Sequence, residues 1–74
     1  MSTGVVKWFN GQTGYGFIVS DEGGPDVFVH WRNIEVEGFK ELTPGQTVEF
    51  EVRKTSRGPA AYGVRPLEMK EDGS

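Results

Sequence analysis

The sequence predicts an all-β domain, a small closed barrel of five antiparallel strands, on three observations. Short runs of β-branched and aromatic residues recur at a spacing of two, each bounded by Gly, Pro, Asn or Asp. No stretch carries a sustained apolar period of 3.6 residues, so helix beyond a single turn is not expected. A chain of 74 residues cannot cover both faces of an open five-stranded sheet, whereas a sheet closed on itself buries one face unaided.

The strands follow in order. The first covers residues 4–10 and ends at the turn Asn10-Gly11-Gln12-Thr13. The second covers 15–20. Asp21-Glu22-Gly23-Gly24-Pro25 then turns the chain into a third strand over 26–30, and the short connections make these three a meander. An irregular stretch over 32–42 ends at Thr43-Pro44-Gly45, where Pro presets φ and Gly accepts a positive φ. The fourth strand, 46–54, alternates cleanly, with Val48, Phe50 and Val52 on one side and Glu49, Glu51 and Arg53 on the other. Ser56-Arg57-Gly58-Pro59 leads into a fifth strand over 60–65, which Pro66 ends. Val6, Ile18, Val27, Val29, Ile34, Val48, Phe50, Val52 and Val64 fill the interior. Three strands, a long connection and two more strands match a barrel of the oligonucleotide-binding (OB) type, with an SH3-type barrel as the competitor on strand count. Residues 1–67 form the domain, and 68–74 read as a flexible acidic tail.

Composition removes several functions. The chain has no cysteine and one histidine, so disulfides and thiolate metal sites are excluded and no cofactor is expected. No apolar run approaches the roughly 20 residues of a membrane-spanning helix, and the first ten residues lack the pattern of a signal peptide. The expectation is a cytoplasmic monomer that engages neither a membrane nor a small-molecule substrate. With no nucleophile–base pair or phosphate loop, it is not expected to be an enzyme. Net charge is −3, of which the tail contributes −2. A body at −1 argues against binding a duplex by charge alone.

Six of the nine aromatics fall between Trp8 and Trp31, in the segment KWFNGQTGYGFIVSDEGGPDVFVHW. Alternation places Gly14, Gly16 and Ile18 on the core face of the second strand and Tyr15 and Phe17 on the outer face. The third strand holds Val27 and Val29 inward and Phe28 and His30 outward. Lys7 and Phe9 join the outer set from the first strand. Close backbone packing against Gly14 and Gly16 explains the two glycines. Trp8 and Phe9 are adjacent, so alternation buries one of them and leaves open which. Trp31 follows Val29 by two and could continue the core face. A lone histidine is more often structural than catalytic, Phe39 in a loop ordinarily tucks back onto a barrel, and Glu49 and Glu51 read as a solvated strand face.

The segments KWFN, TGYGFI and VFVH, with the later EGF, GQ-V-F and RGP, resemble the cold-shock domain family over residues 4–64. TGYGFI and VFVH correspond to the two RNA-binding motifs of that family. The resemblance implies a five-stranded OB-type barrel that binds single-stranded RNA and DNA and serves as an RNA chaperone and a regulator of transcription and translation. By matching position it implies nucleic-acid contacts from Lys7, Trp8, Phe9, Tyr15, Phe17, Phe28, His30, Trp31, Phe39 and Arg57, and it moves Trp8 to the surface. The alternative is an SH3-like interaction barrel holding a proline-rich peptide, which would gather its rings in loops instead of on adjacent strands.

This chain departs from the family pattern at several places. Thr13 stands where lysine is usual and Ala60 where glutamine is common. Trp31 replaces Phe or Tyr, and Arg32 replaces a small polar residue; a wider ring and a displaced charge would partly compensate. Tyr62 takes the place of a small residue and is expected only to pack at a barrel edge.

Overall fold

The computed structural model describes residues 1–36 and 41–67. Its strands are β1 (Ser2–Asn10), β2 (Tyr15–Ser20), β3 (Val27–His30), β4 (Thr47–Thr55) and β5 (Gly58–Pro66), with one 3-10 turn at Trp31–Asn33. They close into a barrel in the order β1-β2-β3-β5-β4, with β4 pairing back onto β1. This is the expected all-β, five-stranded barrel. Four seams are antiparallel. The fifth seam, β3 on β5, is parallel, pairing Phe28 with Ala60 and Val29 with Ala61, and the bridge Ile34–Val64 extends it. Parallel neighbours need a long crossover; between β3 and β5 it is the chain over residues 31–57, which includes β4 itself.

The turns form where their residues permit. The Asn10 carboxamide oxygen accepts from the backbone N–H groups of Gln12 (2.8 Å) and Thr13 (3.1 Å), while the Gly14 N–H donates to the Asn10 carbonyl at 2.7 Å. The side chain thus holds the β1–β2 turn in an Asx conformation. Between β4 and β5 the Thr55 hydroxyl donates to the Gly58 carbonyl at 2.8 Å and accepts from the Arg57 N–H at 3.1 Å, which fixes Arg57 at a tight hairpin tip.

Val6, Ile18, Val27, Val29, Ile34, Leu42, Val48, Phe50, Ala61 and Val64 form the core, with Phe50 the largest fully buried side chain. Val52 is a correction to the sequence expectation. It lies on the same side of β4 as Phe50, yet it is 39% exposed. Strand β1 starts at Ser2, opposite Phe50, so β4 beyond that point has no β1 neighbour and projects past the barrel with β5 alone. Val52 therefore faces an open groove at the barrel end that it shares with Pro25 and Pro59. Leu42, in the long connection, is buried in the core though no strand pattern marks it. Phe39 and the acidic tail lie outside the described residues.

Candidate nucleic-acid interface

Cross-strand register places the rings. Tyr15 pairs with His30 and Phe17 with Phe28 across β2–β3, and Trp8 pairs with Phe17 across β1–β2. Residues directly opposite in a sheet share a face, so these side chains stand together on the outside of the barrel. Ring centroids are 5.5 Å apart for Trp8 and Phe17, 5.5 Å for Tyr15 and Phe28, and 5.8 Å for Phe17 and Phe28. Trp8 and Tyr15 are each 39% exposed and Trp31 42%, while Phe17, Phe28 and His30 are half-buried among them. The result is a continuous panel of tilted rings on three neighbouring strands.

The panel depends on a bulge in β1. Val6 pairs with Ile18 but Trp8 with Phe17, so Lys7 is an extra residue without a partner in β2. After that shift Trp8 points outward and Phe9 lies opposite Gly16, on the inner side. This settles which of the adjacent rings is buried and corrects the placement of Phe9 in the outer set: Phe9 is half-buried and packs against the core. Lys7 is exposed, and its Nζ donates to Asp26 Oδ2 at 2.9 Å. The loop before β4 supports this point, since Val6 exchanges backbone hydrogen bonds with Gln46 (2.9 Å) and Gly45 (2.8 Å).

The two glycines serve close approach, as their spacing suggests. A Cβ on Gly16 would sit 2.2 Å from the Trp8 carbonyl oxygen and 2.7 Å from the Phe9 Cα. At Gly14, with φ +86°, a Cβ would fall 2.3 Å from Cδ1 of Trp31. The indole lies across Gly14, and the Trp31 backbone N–H donates to the Gly14 carbonyl at 2.7 Å. Trp31 leaves the core face because the 3-10 turn begins there. His30 caps that turn: its Nδ1 accepts from the Arg32 N–H at 3.2 Å. An accepting nitrogen is unprotonated, so a neutral His30 carries its proton on Nε2. The guanidinium of Arg32 lies 5.8 Å from the Trp31 ring centroid.

Arg57 reaches the same surface from the other side. With Asp26, Phe17, Phe28, Pro59 and Tyr62 it lines a groove of about 320 Å³. The structure thus brings together Lys7, Trp8, Tyr15, Phe17, Phe28, His30, Trp31 and Arg57, with Phe9 turned towards the core. Asp26, Arg53 and Tyr62 are additional neighbours that the sequence did not place here. Tyr62 is turned outward by a second bulge: β4 pairs Glu49 with Arg65 and Glu51 with Tyr62, so β5 has one residue too many there, and Gly63 takes φ +62°. A glycine next to a run of alternating residues is the signal that could have located it.

Comparison with known proteins agrees with this architecture. The family model of the "'Cold-shock' DNA-binding domain" matches residues 2–67. The chain belongs to the cold-shock domain family. A "Cold shock-like protein" of Thermotoga maritima is 58% identical over 65 residues, which span 88% of this chain and 97% of the relative. The "Cold shock-like protein CspLB" of Listeria monocytogenes is 58% identical over 67 residues, 90% of this chain and the whole of that protein. Among solved structures, drosophila Unr CSD456 superposes with a TM-score of 0.77 over 96% of this chain and 28% of that one. At 20% identity that likeness speaks to the fold. The cold-shock domain family binds nucleic acids. No helix among the described residues is long and apolar enough to cross a membrane.

Proposed function

We propose that this protein binds single-stranded RNA and DNA by stacking unpaired bases on the panel of Trp8, Tyr15, Phe17, Phe28, His30 and Trp31, and that it acts as a monomer. The observation that carries the reading is the continuity of these rings on the outside of the barrel. A patch of this kind on a soluble domain marks a binding surface, and flat rings match the π-faces that only an unpaired strand presents. Each stacked base contributes about 1–3 kcal/mol. Four of them give roughly 4–12 kcal/mol before the entropy of ordering the strand is subtracted. Attraction between charges is then secondary, which reconciles a net charge of −3 with a polyanionic ligand. Lys7, Arg57 and Arg32 border the panel and serve the phosphates; Phe39, which lies outside the described residues, is proposed as a further stacking ring. Phe9 contributes less surface than the other rings because it packs inward.

Binding alone is the activity, with no bond made or broken. By capturing open strands the protein draws hairpins towards the unpaired state through mass action. It is thereby an RNA chaperone, and a regulator of transcription and translation where those hairpins control either process. Titration with oligo-dT or oligo-U should quench tryptophan fluorescence, because Trp8 and Trp31 lie within the stack. An unchanged signal, with no binding by an independent method, would refute the proposal. Binding of a proline-rich peptide in its place would assign the surface to protein recognition.

A further inference from the structure

The aromatic panel continues past the residues that the resemblance assigns. Across the parallel seam, the outer face of β5 lies beside that of β3, and the bulge at Gly63 sets Tyr62 on that face. Tyr62 is half-buried and lines the groove that also contains Phe17, Phe28 and Arg57. The guanidinium of Arg53, from β4, stands 4.6 Å from the Tyr62 ring centroid. We infer that Tyr62 and Arg53 form a further stacking subsite that receives one more base of a single strand already lying on the β1–β3 rings.

This inference rests on the stacking proposal above and extends it by one nucleotide across β5 and β4. Three features favour a base as the occupant. The subsite is continuous with the panel through a shared groove, so a strand need not leave the surface to reach it. Tyrosine rings and guanidinium planes are both surfaces on which bases stack. Two cations, Arg53 and Arg57, border the ring where the adjoining phosphates would pass. Glu51 opposes them, being paired directly opposite Tyr62, but its carboxylate is already engaged by the Arg53 side chain at 3.4 Å. Lys7 likewise engages Asp26, the other carboxylate of this region.

The test is a length series. Oligo-dT of four and of eight nucleotides is titrated against the wild type, Tyr62→Ala and Phe28→Ala. Phe28→Ala should weaken both oligonucleotides. Tyr62→Ala should weaken the eight-nucleotide strand at least about fivefold, the lower end of what one stacked base contributes, and leave the four-nucleotide strand unchanged. Equal weakening of both strands, or of neither, would overturn the inference. A wild type that binds neither strand would instead overturn the stacking proposal itself. Should Tyr62→Ala fail to fold, the Tyr62 ring protons of the wild type decide by NMR. An upfield shift with eight nucleotides, absent with four, supports the subsite; resonances that do not move reject it.

Discussion

Strands β2 and β5 flank β3, β2 presenting two outward rings beside it and β5 one, but they do so by different means. In β2, Tyr15 and Phe17 face out and Gly16 and Ile18 face in, with strict alternation along the strand. Strand β5 keeps Ala61 and Val64 buried although they are three residues apart, because the bulge at Gly63 absorbs one residue. Glycine is favoured in both, for unlike reasons. At Gly16 the constraint is space, with the backbone of Trp8 and Phe9 against it. At Gly63 it is conformation: φ is +62° and the nearest atom to an added Cβ is the end of the Glu35 side chain, at 3.6 Å. The same residue type thus holds β2 close to β1 and re-aims β5.

Alanine at the two positions should separate these effects. Gly16→Ala forces β1 and β2 apart at the centre of the binding face and should lower unfolding free energy by about 3 kcal/mol, the upper part of the overpacking range. Urea unfolding monitored by circular dichroism measures it, and a loss below about 1 kcal/mol would show that the strands can part cheaply there.

The panel itself supplies the next effect. Phe28→Ala should cost about 1–3 kcal/mol of oligo-dT affinity, one stacked base, with the barrel still folded. Phe17→Ala should behave likewise. Because the two rings touch at 5.8 Å, the double variant should not show the sum of the single losses. Strict additivity in the titrations would mean that the rings hold separate bases without supporting one another.

Gly63→Ala comes third. A left-handed conformation costs an L-residue about 1–2 kcal/mol, and there is room for the methyl group, so the loss should stay within that range. Gly63→Asn should lose less, since asparagine tolerates this conformation. The same urea series checks both. If Gly63→Ala matched Gly16→Ala, the distinction between space and conformation would collapse.

The contrast between the two strands also marks how far the sequence can be read. Where alternation runs unbroken, as in β2 and β3, the outward quartet Tyr15, Phe17, Phe28 and His30 was legible from the residues alone. Each bulge ended that legibility. Lys7 shifted the phase of β1, so Phe9 went inward and Trp8 outward, and Gly63 did the same for Tyr62. An extra residue in one strand is defined by what the partner strand lacks: in β5 the glycine at 63 is the one trace of it in the strand's own sequence, and in β1 no residue marks it. Val52 failed for a different reason: its face was foreseen, but whether β1 reached far enough to cover it depended on register. Leu42 was missed because a side chain from a loop enters the core without a periodic pattern. The turn chemistry was local, held in Asn10 and Thr55, and was the more readable for it.

The smallest effect concerns charge at the edge of the panel. Arg32 stands beside Trp31, 5.8 Å from the ring centroid, while Thr13, where the family usually has lysine, is tied into the Asn10 turn. If Arg32 supplies the phosphate contact that Thr13 cannot, Arg32→Ala should reduce the slope of log K against log salt by about 0.7, the value for one contact with a single strand. Affinity should fall modestly at low salt and converge with the wild type as salt rises, because only the electrostatic part is removed. Truncating a stacking ring has the opposite signature, a loss that persists at every salt concentration. A salt slope unchanged by Arg32→Ala would confine Arg32 to packing on Trp31 and leave the missing cation of the β1–β2 turn without a substitute.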